Sequence, residues 1–323
     1  MDKPYTTYDE QLKILTDKHL VIKDKEEVVK LLKKCSYFGL VTGYKHPFKD
    51  KEGFYKIHTT INDIYALYSY DMELRELFLK YILIVENHIK SLISYCFCDS
   101  FGEEESAYLN ANNYDYNQSK QDEINYLIGK LKKEMNNYDS HPYLQHQKNH
   151  GNIPLWVLVK VLTLGVISNM YRLLKPQTQT MVCKEFKYIS EEDLAQMIEM
   201  LSKFRNVSAH NERLYDYKYI RIKDGKMLST EIRTTDVHKV LKLKTQKGSY
   251  VQGKNDLFSV VIIFKYLLSD EELSSFIESF DSVTNKLLSK TNIIQKSQIL
   301  KLMGFPNNWQ EIKNCPKHIN KEE

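Results

Sequence analysis

The stretch SEEDLAQMIEMLSKFRNVSAH, residues 190–210, carries a strong helix signal and ends in chemically versatile side chains. Ser190 is a favourable N-cap residue, and the three acidic residues after it fall in the first turn, where the helix dipole favours negative charge. Apolar residues then recur at spacings of three and four, at Leu194, Met197, Ile198, Leu201 and Phe204. The stretch therefore predicts an amphipathic helix that buries one face against neighbouring helices.

The end of this predicted helix carries Arg205, Asn206 and His210. Arginine offers a planar set of donors that match phosphate oxygens, and histidine has an unperturbed pKa close to neutrality. Only six of the 46 basic residues are arginines, so an arginine at this place favours a specific role over a general surface charge. The three residues suit chemistry on a phosphodiester. In the alternative structural interpretation, Arg205 pairs with a helix carboxylate and His210 bonds the last helix carbonyls.

Helix geometry limits how these three side chains can cooperate. Asn206 and His210 are four residues apart and share a face, whereas Arg205 lies about 100° around the helix from Asn206. One rigid helix does not aim all three at a single atom. Either the helix loosens near Ala209, or two copies of the motif cooperate across a dimer.

The rest of the chain predicts a mainly α protein. Asp224-Gly225 is a two-residue turn signal between alternating segments at residues 217–223 and 226–233, which predicts a small β-hairpin insertion. Residues 108–117 and 136–151 are polar and are predicted to be loops. A long helix capped by Thr60 is predicted, with a kink or a join near Tyr70-Asp71 left open. Further helices are predicted at residues 8–19, 25–34, 122–134, 155–174, 257–268, 270–289 and 296–303.

Glu86 interrupts the apolar pattern of the long helix and lies on the flank of its buried face. A partly buried carboxylate usually has a partner. In the structural interpretation the partner is a nearby lysine or Arg75. In the functional interpretation Glu86 orients Arg205 or His210.

Composition narrows the class of protein. The chain of 323 residues is 42% hydrophobic and 27% charged with a net charge of +4, which is typical of a soluble globular protein. Five scattered cysteines indicate neither disulfides nor a zinc site, and His141, His146 and His150 lack convincing metal-ligand spacing. No signal peptide or membrane span is recognisable. We therefore expect a cytoplasmic protein that uses no metal or other cofactor.

A lysine-rich segment follows the predicted hairpin and is the best candidate for an RNA-facing surface, although a solvated helix and loop would have the same composition. Its lysines are Lys239, Lys242, Lys244, Lys247 and Lys254.

An ordered set of segments along nearly the whole chain resembles the abortive-infection Abi-like family of bacteria, of the AbiD/AbiF type, whose core belongs to the HEPN superfamily. Each segment is weakly informative alone, but their order is specific. The segments are Tyr8-Asp-Glu-Gln-Leu-Lys-Ile-Leu15, Tyr37-Phe-Gly-Leu-Val-Thr-Gly-Tyr44 with Pro47-Phe48, Leu67-Tyr-Ser-Tyr-Asp71 with Leu74-Arg75 and Glu86, Pro154-Leu-Trp-Val-Leu158, Leu164-Gly-Val-Ile-Ser168, residues 205–214, and Leu302-Met-Gly-Phe-Pro-Asn-Asn-Trp309.

The resemblance implies a HEPN-type helical bundle and a ribonuclease motif of the form Arg-x(4 to 6)-His, carried onto Arg205, Asn206 and His210. Glu86, Arg75 and Arg213 are the expected supporting residues. It also implies metal-independent RNA cleavage, a composite site in a homodimer, phage defence, and control by a small RNA or an antitoxin. If the ribose 2′-hydroxyl attacks the adjacent phosphate, we expect the products to carry 2′,3′-cyclic phosphate ends. The alternative is a HEPN-like module in phage defence that binds RNA or protein without turnover.

The expected organisation has three parts. Residues 1–58 form an N-terminal helical segment, residues 59–310 form the HEPN-like helical domain with its hairpin, and residues 311–323 form a polar tail.

Overall fold

The computed structural model describes residues 5–137, 141–223, 226–229 and 231–318, with the side chains of 221–229 outside the description. The predicted mainly α architecture is confirmed. The α-helices are α1 Tyr8–Asp17, α2 Lys25–Cys35, α3 Ile61–Phe101, α4 Glu105–Tyr108, α5 Gln121–Asn136, α6 Pro142–Asn149, α7 Leu155–Leu158, α8 Leu164–Leu173, α9 Pro176–Cys183, α10 Glu191–Ala209, α11 Asp236–Val240, α12 Leu257–Leu267, α13 Asp270–Lys290 and α14 Lys296–Leu302. Shorter helical turns are a π-helix at Tyr37–Thr42 and 3-10 helices at His46–Phe48, Ala111–Asn113 and Trp309–Lys313.

Helix α3 is the central element of the bundle. Thr60 and Asp63 form a capping box at its start, each side chain bonding the backbone N–H of the other, which satisfies two otherwise unpaired amides. The helix then continues for 41 residues through Tyr70 and Asp71 without a join. It packs against α13, α10, α9 and α7. Because α10 packs directly against it, α3 helps to position the side chains that α10 turns toward the core.

Helix α10 forms as the sequence predicts. The hydroxyl of Ser190 accepts from the Asp193 amide, and the Asp193 carboxylate accepts from the Ser190 amide in return. The predicted apolar stripe is buried, and it packs against α8 and α3. This packing fixes which face of α10 reaches solvent.

Two predictions about the middle of the chain are wrong. Residues 155–174 do not form one helix, because α7 ends at Leu158 and Thr163 starts α8 by accepting a hydrogen bond from the Val166 amide. Residues 136–151 are not all loop, since α6 begins at Pro142, where the fixed φ of proline suits the first helical position. A cap at Thr163 and a proline at the first position of α6 decide where these two helices begin.

The predicted hairpin is present as β1 Ile220–Lys223 paired antiparallel with β2 Lys226–Ser229. Its proposed Asp224-Gly225 turn lies outside the described residues. A second two-stranded ribbon pairs β3 Thr245–Gln246 with β4 Ser249–Tyr250. Both ribbons are additions to the helical bundle.

One close approach between the C-terminal segment and the bundle requires a glycine. Gly304 has a positive φ of 83°, and a Cβ added there would lie 2.1 Å from the Asp256 carboxylate. Asp256 caps α12, so the glycine allows the chain to pass over this helix end. One continuous cluster of buried side chains extends from Leu12 to Cys315.

The division at residues 58 and 310 stays a prediction. Within the described ranges, no helix is both long and apolar enough to cross a membrane.

Candidate functional site

The motif lies where α10 ends. The helix stays regular to Ala209, and the His210 amide still bonds the Asn206 carbonyl at 3.0 Å. Asn211 then adopts a left-handed conformation with φ 57°, and the Glu212 amide bonds the Val207 carbonyl at 3.3 Å. These features form a Schellman-type end, which stops the helix sharply. The helix therefore does not loosen near Ala209, which was one of the two alternatives for aligning the motif.

The three motif side chains point in two directions. Asn206 and His210 are exposed, and their spacing places both on the same face of α10. Arg205 is turned toward α3, and its side chain is 28% exposed. The structure therefore separates the cation from the imidazole in the way the helix geometry predicts.

Glu86 of α3 holds Arg205. Its Oε2 lies 3.6 Å from Arg205 Nε, while its Oε1 lies 2.7 Å from Lys90 Nζ and forms an ion pair with it. The carboxylate is 5% exposed, so it sits almost fully buried between two cations. The facing atoms Oε2 and Nε attract each other as charges, and neither has a hydrogen-bond partner among the described residues. Glu86 pairs with a lysine, as the structural interpretation predicts, and it also contacts Arg205. A functional role for that contact stays a prediction.

Arg75 of α3 holds the segment just after His210. Its Nη1 donates to Asp71 Oδ2 at 2.6 Å and to the Glu212 carbonyl at 3.2 Å. Its Nη2 donates to Asn211 Oδ1 at 2.7 Å. Arg75 is 5% exposed, so these are charge-assisted hydrogen bonds shielded from water. They pin the residue next to His210 onto α3.

Asp71 is the centre of this cluster. It is fully buried and accepts from the Tyr44 hydroxyl at 2.7 Å and from the amides of Leu214 and Tyr215 at 3.2 and 2.7 Å. Burial raises the pKa of Asp71, and the Tyr44 hydroxyl, Arg75 and the two amides oppose that rise. Burial likewise raises the pKa of Tyr44, with the Asp71 charge adding to the effect. Asp71 thus fixes the chain where it leaves α10.

Arg213 links the motif to the N-terminal segment. Its Nη1 donates to the Gly43 carbonyl at 2.6 Å, and its Nε pairs with Asp216 Oδ1 at 2.6 Å. The rings of Tyr44 and Tyr215 also stack, with centroids 5.9 Å apart. The N-terminal segment therefore helps to position the chain that follows His210.

The structure brings most of the predicted site residues together around the junction of α3 and α10. Sequence reasoning missed Tyr44 and Asp71, although both end segments that carried the family resemblance. The spacing of Asp71 and Arg75, four apart on the buried face of one helix, was the signal that could have identified the pair.

The predicted RNA-facing lysines lie elsewhere. Lys239, in α11, pairs with Asp236, and Lys254 contacts Thr234. Lys242, Lys244 and Lys247 are exposed in and around the β3–β4 ribbon. An RNA-binding role for the five stays a prediction. In the described part of the chain, no three His, Cys, Asp or Glu residues are grouped so that they could hold a metal ion.

A family model described as Abi-like protein matches residues 30–216, which is more than half of the chain. The matched region begins in α2 and ends just after Tyr215, so it contains the whole cluster around Asp71, Arg75, Glu86 and the end of α10. No curated protein and no solved structure matches the chain.

Proposed function

Because the chain belongs to the Abi-like protein family, we propose that it is an abortive-infection protein of bacterial phage defence that acts as a HEPN-type endoribonuclease of the AbiD/AbiF type. The proposed reaction is metal-independent cleavage of RNA. The family supports the defence role, and the residues at the end of α10 support the chemistry.

The observation that carries the proposal is that buried charged residues of α3 contact and support the end of α10, where Asn206 and His210 are exposed. Glu86 contacts Arg205, and Arg75 with Asp71 holds the backbone next to His210. Buried charge clusters are costly to desolvate, and they often occur where a functional group must be held in place. Asn206 and His210 meanwhile face solvent, where a polymer can reach them.

In the proposed mechanism, the ribose 2′-hydroxyl attacks the adjacent phosphorus and the bond to the 5′ oxygen of the next nucleotide breaks. His210 transfers a proton as general base or general acid, Arg205 stabilises the charge that develops on the phosphate, and Asn206 positions the scissile group. The products carry a 2′,3′-cyclic phosphate and a 5′-hydroxyl. DNA is inert because it lacks the nucleophile.

We propose that the active form is a homodimer. The regular end of α10 keeps Arg205 and His210 of one chain on different faces, so a second copy is needed to supply both groups to one phosphate. A small RNA or an antitoxin is the proposed regulator.

The test is incubation of purified protein with total RNA in EDTA, beside the Arg205→Ala and His210→Ala variants, followed by mapping of new RNA ends. General acid–base help is commonly worth about a hundredfold to ten-thousandfold in rate, so His210→Ala should remove most turnover. Cleavage of DNA, or equal activity in His210→Ala protein, would rule out this mechanism. RNA binding without any cleavage would favour a non-catalytic binding module.

A further inference from the structure

A polar groove of about 710 Å³ lies between α5, α8 and α10. Its volume falls within the range of roughly 300 to 1,000 Å³ that is typical of small-molecule sites. Tyr126 and Lys130 line it from α5, Asn169 from α8, and Gln196 and Lys203 from α10. None of these residues belongs to the cluster that supports Arg205 and His210.

The groove runs toward the proposed catalytic residues. Lys203 lines the groove, and residues three and seven positions after it, Asn206 and His210, share its face of α10. At a rise of 1.5 Å per residue, they lie about 4.5 and 10 Å further along the helix axis. A chain bound at His210 can therefore extend directly into the groove.

The charge of the groove does not favour a phosphate backbone. Among the described residues, three cations and three carboxylates line it, and a surface that binds phosphates needs an excess of positive charge. The cations are Lys130, Arg172 and Lys203, and the carboxylates are Glu134, Glu192 and Glu199. A balanced, polar lining suits an uncharged polar ring better than a phosphate.

Two side chains have the chemistry for a nucleobase. Tyr126 is 60% exposed and offers an aromatic face, with Lys130 Nζ 5.2 Å from its ring centre. The amide oxygen of Gln196 has no hydrogen-bond donor among the described residues, and it is shielded from solvent, so a base reaches it when the Gln196 side chain turns toward the groove. An exocyclic amino group of adenine, cytosine or guanine would supply the missing donor, whereas uracil has none. Asn169 adds a second amide to the lining.

We propose that this groove binds one unpaired nucleobase of the RNA next to the phosphate at His210, with the base stacked on Tyr126 and its amino group bonded to Gln196. The assignment rests on the proposed ribonuclease function and adds a base preference to it. Single-stranded RNA is typically recognised by such stacking and edge contacts.

The test measures binding of labelled single-stranded oligo(A), oligo(C) and oligo(U) RNA by fluorescence anisotropy, with full-length His210→Ala protein as the parent so that no probe is cut. Loss of a base stack typically weakens binding roughly fivefold to a hundredfold, which we expect for all three probes with Tyr126→Ala. Tyr126→Phe should bind like the parent, as should Tyr95→Ala, which removes a tyrosine 70% exposed on α3. Gln196→Leu should weaken oligo(A) and oligo(C) and leave oligo(U) unchanged.

Unchanged binding with Tyr126→Ala, or equal weakening of all three probes with Gln196→Leu, would overturn the assignment. Cleavage assays with protein that retains His210 test the proposed ribonuclease function separately from the base assignment. RNA cleavage combined with either of those binding results rejects the groove alone. Base-dependent binding through Tyr126 and Gln196 without RNA cleavage rejects the nuclease and retains the groove.

Discussion

At the scale of single residues, Glu86 is the group on which the position of Arg205 most directly depends. Glu86→Gln keeps the shape of the side chain but leaves Lys90 and Arg205 without their shared carboxylate. We expect RNA cleavage to fall by roughly a hundredfold, because a displacement of about 1 Å in a catalytic group can cost that much. Cleavage rates under single-turnover conditions measure this loss.

The matched control is Glu76→Gln, which removes an exposed carboxylate from the same helix and should leave cleavage unchanged. Breaking a buried ion pair commonly costs about 3 to 5 kcal/mol, so the unfolding free energy of the Glu86 variant should also fall. If Glu86→Gln cleaves RNA at the normal rate, Arg205 is not positioned by this contact.

His238 makes folding sensitive to pH at a place far along the chain from the motif. Its Nδ1 accepts from the Thr235 amide at 3.1 Å, and its Nε2 donates to the Gly253 carbonyl at 2.9 Å, so the ring must be neutral. Burial lowers the pKa of His238 from 6.5 to about 4. The unfolded chain therefore binds the extra proton first, and stability falls as the pH drops below 6.5.

Each pKa unit is worth about 1.4 kcal/mol, so this histidine should cost the protein about 3 kcal/mol of unfolding free energy between pH 6.5 and 4. Denaturant unfolding across that pH range gives the unfolding free energy of the wild type and of His238→Gln. The wild-type value should fall more steeply as the pH drops. Burial raises the pKa of Asp256 to about 7, so this group makes the fold more stable as the pH falls. Both proteins contain Asp256, so its effect does not alter the comparison. Parallel pH profiles for the two proteins would contradict the prediction.

At the scale of elements, Asp71 joins α3 to the chain that leaves α10. Asp71→Asn removes the charge that pairs with buried Arg75 and weakens acceptance from the Leu214 and Tyr215 amides. We expect faster amide hydrogen exchange at residues 214 and 215, together with slower RNA cleavage. Hydrogen-exchange mass spectrometry and cleavage rates measure the two effects.

Tyr44→Phe provides a graded comparison, because it removes one hydrogen bond to Asp71 and keeps both charges. Tyr44→Phe should lower the unfolding free energy by about 1 to 3 kcal/mol, less than Asp71→Asn does. Normal amide protection at residues 214 and 215 in Asp71→Asn protein would show that other contacts hold the helix end.

Elements were predictable where the sequence carries a complete local signal. Ser190 with its acidic first turn and Thr60 with Asp63 both form capping boxes, and the helices that follow them begin as predicted. The break after Leu158 was missed because the apolar pattern continues through it, while a cap at Thr163 restarts the helix. Hydrophobic periodicity shows which residues are buried more reliably than where one helix stops and another begins.

At the scale of the whole molecule, the separation of Arg205 from His210 predicts an assembly. We expect a mass in solution of twice the 38.2 kDa of one chain. A heterodimer of one Arg205→Ala chain and one His210→Ala chain should regain cleavage that neither homodimer shows, because one intact pair forms across the two-fold axis. Co-expression with two different tags and light scattering provide the sample and the mass.

A monomer with full activity would contradict the two-copy site. So would a heterodimer as inactive as the two variant homodimers.

The sequence by itself determined the helix of residues 191–209, the side chains at its end and the angular separation of Arg205 from His210, because these depend on neighbours within a few turns. Only the tertiary structure decided that Glu86 contacts Arg205 and that Asp71, with Tyr44 and Arg75, holds the residues after His210. Those partners lie more than a hundred positions away from the motif, and burial in a shared core brings them together. The charges on α3 could be read in the sequence, but the residues they hold could not.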